Sequence, residues 1–282
     1  MTIKLIAIDM DETFLKTDKT YDVARFKRIL ADLLARDIIV CIASGNSFHK
    51  LEAYFDEEDR NRLYFAGDNG NYIVREQALL HAISINPETV ISIEHFLDEF
   101  DGFHPNVSTG DKTYFREMDE EELEIVKRYN DRIVLVETFN DIPVNEQAVK
   151  IAIHSEKALH ENKTMARIIN ERYDDCSAVT SGDGWLDVYH RDGGKGSSVR
   201  YLQDKYNISS DETMAFGDSL NDSSMMREAL YSVSMGNADP DLVAETRYQI
   251  GNNNDLAVLS LLEELLANDS MAFMKKYRTH KR

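Results

Sequence analysis

Leu5-Ile6-Ala7-Ile8-Asp9-Met10-Asp11-Glu12-Thr13 is the stretch on which the reading of this chain turns. Four successive apolar residues suit a short strand buried on both faces, the habit of parallel sheets. Asp9 and Asp11 follow at once, two positions apart where the strand ends. One carboxylate so placed can attack a phosphorus atom while its neighbour moves a proton. Three further polar clusters lie far along the chain: Ser44-Gly45-Asn46 after the apolar run 38–43, Lys195 in Gly194-Lys195-Gly196, and Gly217-Asp218-Ser219-Leu220-Asn221-Asp222 after the run 213–216. Each stands at the end of an apolar strand or the start of a helix, and together they point to one site.

Around these clusters the pattern alternates. Strands are expected at 3–8, 38–43 and 63–66, with helices at 21–35 and 48–55 between them. The rhythm returns with a helix at 197–206, a strand at 213–216, a helix at 222–229, a strand at 231–234 and helices at 240–246 and 255–267. Asp255 is expected to cap the last helix. This alternation predicts an α/β fold, a parallel sheet with helices on both faces. The middle differs: helices at 88–100 and 120–130 mix with extended runs at 133–137, 148–154 and 185–189. An inserted α+β domain at 83–189, interrupting a core of 1–82 and 190–270, is the economical division, with 271–282 as a solvated tail. In open parallel sheets ligands bind beyond the carboxyl ends of the strands, which is where Asp9, Ser44 and Asp218 fall.

Composition narrows the function classes. The 282 residues carry a formal net charge of −19, which argues against binding a nucleic-acid backbone. The basic run Lys275 to Arg282 reads as the solvated tail. Two cysteines are too few for a disulfide framework, and Cys41 sits within an apolar strand, so a reducing cytoplasm is expected. No stretch approaches the ~20 apolar residues of a membrane span, and no signal-peptide core precedes Asp9. His49, His154 and His190 lack metal-ligand spacing and read as surface or partly buried residues, Trp185 as core or domain interface, and the acidic run 119–122 as a solvated helix start.

Taken in order, the four clusters resemble the motifs of the haloacid dehalogenase-like phosphohydrolases, and the large middle insert resembles the cap of their Cof-type sugar-phosphatase branch. The Asp68-Asn69-Gly70 turn and the Trp185-Leu186-Asp187-Val188 strand leading to Lys195 also look like that branch. The resemblance implies a Rossmann-like core with an inserted cap. It implies Asp9 as nucleophile, Asp11 as general acid/base, Ser44 and Gly45 on a phosphate oxygen, and Lys195 as the phosphate cation. Mg²⁺ would be held by Asp9, the Asp11 backbone carbonyl and Asp218, with Asp222 and Ser219 in support and Asn221 donating to substrate or loop. The implied reaction is hydrolysis of a small phosphorylated metabolite, a sugar phosphate by resemblance, through an aspartyl-phosphate. A phosphomutase using the same intermediate and a non-catalytic metabolite sensor remain alternatives on the same motifs. Read alone, Ser44 could serve as a helix N-cap, a role compatible with holding phosphate, and Asp218 and Asp222 could merely favour the start of the helix that follows.

Two departures stand out. The family usually has Gly where this chain has Glu12, and often Arg where it has Asn46. Glu12 implies a backbone there that does not demand glycine, with the carboxylate facing solvent or the cap. Asn46 is expected to reach substrate or to stabilise its loop.

Overall fold

The computed structural model describes residues 3–127, 132–180 and 184–279, and its extended segments form two sheets. In chain order the strands are β1 (Leu5–Ile8), β2 (Ile39–Ala43), β3 (Tyr64–Ala66), β4 (Tyr72–Arg75), β5 (Ala78–Ala82), β6 (Phe103–Ser108), β7 (Thr113–Arg116), β8 (Ile133–Val136), β9 (Lys150–Ser155), β10 (Cys176–Thr180), β11 (Trp185–His190), β12 (Thr213–Gly217), β13 (Tyr231–Ser234) and β14 (Tyr248–Gln249). The first sheet has the order β14-β13-β12-β1-β2-β3-β4-β5. β1 pairs in parallel with β12 and with β2, placing Ile8 between Phe216 and Ile42. Only β4 runs against the rest, pairing antiparallel with β3 and with β5, which closes one edge.

Every side chain of β1 is buried, and the strand's alternation divides them between two cores. Ile6 and Ile8 join Val40, Ile42, Met214 and Phe216 on the face covered by helices Val23–Leu34 and Ala257–Ala267. Leu5 and Ala7 join Cys41, Ala43 and Ala215 on the face covered by helix Lys195–Tyr206, through Val199 and Leu202. Burial of each large aliphatic side chain contributes about 1.5–3 kcal/mol, so a sheet filled from both faces is firmly fixed, and with it the ends of its strands.

The second sheet, β10-β11-β9-β6-β7-β8, is antiparallel except for β7 with β8. Ile151, Ile153, Leu186 and Val188 face a separate core with Val90 and Ile93 of helix Pro87–Leu97 and Met165 and Ile169 of helix Leu159–Arg172. The intervening residues Lys150, Ala152, His154, Trp185 and Asp187 turn the other way, onto a cavity shared with the strand ends of the first sheet. This is the inserted α+β cap.

Several expectations need correction. Asp255 is not the N-cap of the last helix: it lies in a 3-10 turn, Asn253–Asp255, and Leu256, left-handed at φ +54°, precedes helix Ala257–Ala267. The tail is not frayed through residue 279, because the 3-10 segment Met271–Tyr277 buries Met274 and the Thr279 N–H donates to the Arg247 carbonyl at 3.0 Å; residues 280–282 lie outside the described residues. The helix expected at 120–130 runs Glu120–Val126, and residues 128–130 lie outside the described residues. Strands β4, β5, β6, β7, β10 and β14 and helix Leu159–Arg172 were not legible; the helix is polar on most of its surface, with Asn162, Met165, Ala166 and Ile169 its buried positions. Among the described residues, no helix is long and apolar enough to cross a membrane.

Candidate active site

Asp9 follows β1, Ser44 follows β2 and Asp218 follows β12, three neighbouring strands, so topology alone brings these residues to one crevice. The Asp9 N–H donates to the Phe216 carbonyl at 3.1 Å, extending the ladder by one bond. The chain then makes a wide turn in which the Phe14 and Leu15 amides bond back to Asp9 and Met10, burying Met10 and Phe14. Gly217 permits the fourth cluster to close up, since a Cβ there would stand 2.5 Å from the Asp222 carboxylate.

At the centre is a buried ion cluster. Lys195, 1% exposed, donates at 2.6 Å to Asp9 Oδ1 and at 2.6 Å to Asp222 Oδ1. Asp222 Oδ2 accepts the backbone N–H groups of Asp218 and Ser219 at 3.0 and 3.1 Å, so both its oxygens are engaged. Thr13 Oγ1 donates to Asp218 Oδ1 at 3.1 Å. Three carboxylates thus surround one ammonium. Burial pushes the Asp9 carboxyl well above its ordinary range; Lys195 pulls the other way, and Asp222 and Asp218 push further up. Burial and the Asp222 charge raise Asp218 to about 7. Lys195 is held protonated by its two carboxylates despite burial.

Asp11 sits toward solvent. Its Oδ2 accepts from Asn46 Nδ2 at 2.7 Å and its Oδ1 from Lys19 Nζ at 2.9 Å. Burial works to raise this carboxyl, but Lys19 and Asn46 outweigh it and hold it below its ordinary value. Ser44 Oγ accepts the Asn46 N–H at 3.2 Å, a local turn. Ser44 does not cap a helix, because helix Phe48–Glu52 begins after Ser47. Asn221 Nδ2 reaches Asn69 Oδ1 at 3.4 Å, and Ser219 Oγ donates to Asn221 Oδ1 at 2.7 Å.

Glu12 departs from the expectation. Its backbone is left-handed, φ +56°, a conformation that costs a non-glycine residue about 1–2 kcal/mol. Its carboxylate turns neither to the cap nor wholly to solvent: Oε2 accepts from Asn253 Nδ2 at 3.0 Å and Thr17 Oγ1 at 2.9 Å, while Asn237 Nδ2 donates to the Glu12 carbonyl at 2.8 Å. These bonds hold the turn that glycine would adopt freely.

A cavity of about 640 Å³ joins the cluster to the cap sheet. Two cross-links span it. Lys150 Nζ, on β9, donates to the Gly45 carbonyl at 2.6 Å and pairs with buried Asp68 Oδ1 at 3.1 Å; Asn69 Nδ2 donates to Asp187 Oδ2 on β11 at 2.7 Å. Lys150 was missed because nothing in its local sequence separates it from a strand lysine at the surface. The signal was the alternation of β9, in which 150, 152 and 154 share the face opposite Ile151 and Ile153. His49 is partly buried between Glu52 and Asp111 on the core–cap boundary, and His154 and Trp185 line the cavity.

The geometry has counterparts in known proteins. The family model of haloacid dehalogenase-like hydrolases matches residues 6–262. The chain is 28% identical to the 5-amino-6-(5-phospho-D-ribitylamino)uracil phosphatase YbjI of Escherichia coli, over 96% of this chain and 98% of that one. A solved structure from Streptococcus mutans, SMU.1108c, superposes with a TM-score of 0.86 at 30% identity, over 95% of this chain and 100% of that one. The fold is shared with the HAD subclass IIB sugar phosphatase BT4131, with a TM-score of 0.76 at 20% identity, over 93% and 98% of the two chains.

Proposed function

The chain belongs to the haloacid dehalogenase-like hydrolases and is a phosphoric monoester hydrolase, and from that premise we propose that it is a Mg²⁺-dependent phosphatase of a small phosphorylated metabolite, with Asp9 as nucleophile. The observation that carries the reading is the buried Asp9–Lys195–Asp222 triad with Asp218 beside it. We assign the core to 1–82 and 190–270 and the cap to 83–189; the last cap strand ends on His190.

The donor set fits the cation. Asp9, Asp218 and Asp222 offer oxygens within 4.8 Å of one another, and hard oxygen donors suit Mg²⁺. Asp222 already has both oxygens committed, so Asp9 and Asp218 would be the ligating side chains, and the family resemblance adds the Asp11 backbone carbonyl. Burial first, and the neighbouring carboxylates after it, raise the Asp9 and Asp218 carboxyls, so a cation at this point would favour their ionised forms. When bound, Mg²⁺ supplies the positive charge that keeps Asp9 ionised and offsets charge on the phosphoryl oxygens.

The chain's own residues perform the rest. Asp9 attacks phosphorus, forming an aspartyl-phosphate as the ester oxygen departs. Asp11, ionised at rest beside Lys19 and Asn46, takes up a proton from the solvent it faces, passes it to the departing oxygen, and is reloaded by the proton of the water that hydrolyses the intermediate; Asn46 and Lys19 fix its orientation. Lys195 stays within reach of the phosphoryl oxygens, and Ser44 with the Gly45 backbone holds another. Lys150 pins the cap over the site, excluding bulk water. The relatives' names, a ribitylamino-uracil phosphate phosphatase and a sugar phosphatase, support a polyol or sugar on the phosphate. Acid quenching during turnover of a labelled ester tests the reading. Label on the peptide bearing Asp9, with free phosphate as product, is expected; label on another residue, or a rearranged phosphate ester as product, would overturn it.

A further inference from the structure

The cap face above the site is ordered in rows. Trp185 stands opposite His154, and Asp187 opposite Ala152, across the β11–β9 pair; Asn106 stands opposite Ala152, and Ser108 opposite Lys150, across β6–β9. The row nearest the phosphate end holds Lys150, bonded to the carbonyl of Gly45. The middle row places small Ala152 between Asp187 and Asn106, leaving a recess with polar walls. Asn106, a residue only 6% exposed, lines the cavity, and its amide makes no hydrogen bond to the protein among the described residues, so it is open to whatever fills that space. The far row carries three rings: Trp185 and His154, with centroids 5.0 Å apart and planes at 60°, line the cavity, and His104 stands on the other side of His154 at 6.2 Å, outside the cavity lining. Four residues of strand separate Lys150 from His154, about 13 Å at the usual rise. A leaving group that meets all three rows is longer than a single sugar.

The geometry points to a nitrogen heterocycle at the distal end of the leaving group, its face on Trp185 and its polar edge toward Asn106. Resting on the phosphatase reading, this assigns Trp185, His154 and Asn106 as the residues that choose the substrate. A planar ring stacked on an indole gains dispersion and quadrupole attraction that a sugar hydroxyl does not. An amide that faces the cavity with no protein partner offers both a donor and an acceptor, which matches a ligand edge that presents both.

Uridine 5′-monophosphate and ribose 5-phosphate differ only by such a ring and are the probes. Trp185 is the only tryptophan of the chain, so emission excited at wavelengths that tyrosine does not absorb reports on this site. In the Asp9→Asn protein, uridine 5′-monophosphate should change that fluorescence and bind roughly tenfold more tightly than ribose 5-phosphate. In the wild type, kcat/KM should favour the nucleotide by a similar factor. Trp185→Ala should collapse that preference through KM, Trp185→Phe should restore part of it, and thermal melts would establish that both variants fold. Binding of the nucleotide without hydrolysis of either ester would overturn the phosphatase reading and leave this assignment standing. Hydrolysis of both with no preference, a preference that survives Trp185→Ala, or no binding of the nucleotide would overturn the assignment.

Discussion

Glu12 lies within the turn that follows β1, and Lys19 reaches back to that turn through Asp11. Lys19, itself left-handed at φ +63°, holds Asp11 by a bond and a charge, and the Asp11 carboxyl lies below its ordinary value as a result. Removing that ammonium leaves burial to push the carboxyl upward. Lys19→Ala should therefore move the Asp11 limb of the pH profile of kcat/KM to higher pH; a limb that stays in place would show that Asp11 is set by something else. At Glu12 two costs compete. Glu12→Ala keeps the left-handed strain and loses the bonds to Asn253 and Thr17, whereas Glu12→Gly loses the bonds and the strain together. Denaturant unfolding should find the glycine variant more stable than the alanine variant by about 1 kcal/mol. Asp9, Asp11, Ser44, Lys195 and Asp218 were legible because each touches an apolar run that declares its own strand or helix. Lys150 was not, and Asp68 was read only as part of a turn, because the pair they form joins residues of different domains.

Among the elements, the turn at residues 67–70 joins the two halves of the core. Asp68, Asn69 and Gly70 are all left-handed, at φ +50°, +58° and +81°, and Gly70 lies against the start of helix Lys195–Tyr206. A Cβ at position 70 would meet the Gly194 oxygen and the Lys195 Cα at 2.9 Å. Gly70→Ala must push that helix start away and carry the Lys195 ammonium with it. Its kcat/KM should fall by about 10²-fold, the scale for displacing a catalytic group by about 1 Å, with the fold retained by circular dichroism; an unchanged rate would mean that the turn does not set Lys195. Element type was readable where a strand ran apolar and where a helix had a clear stripe. It failed in the cap, where β6, Phe103–Ser108, contains a proline and alternates toward a polar cavity, so that only one face carries the hydrophobic signal. The last helix was readable but its start was not, since the left-handed Leu256 replaces a side-chain cap.

For the whole molecule, the acidic cluster couples stability to pH and to cation. The Asp218 carboxyl rises from an ordinary 3.8 to about 7 in the folded protein, chiefly by burial. Between those values the folded state holds a proton that the unfolded chain has released. Its contribution to stability is therefore complete below 3.8 and is lost as pH rises through about 7; Asp9 shifts in the same direction. A cation that binds only the folded form adds stability by mass action and removes that penalty. Mg²⁺ should therefore raise Tm more above pH 7 than at mildly acidic pH, and an equal rise at both would contradict a site built on these two carboxylates. The α/β architecture was legible because alternating runs admit few topologies, whereas the cap's strand order depends on non-local pairing that local sequence does not specify. Whether Asp9 is the nucleophile of a metal-dependent phosphatase is decided by phosphate release from a panel of small esters, with and without Mg²⁺, in wild type and Asp9→Asn. Mg²⁺-dependent release by the wild type and a loss on the order of 10³-fold or more in the variant are expected; near-normal rates from Asp9→Asn would rule Asp9 out as the nucleophile.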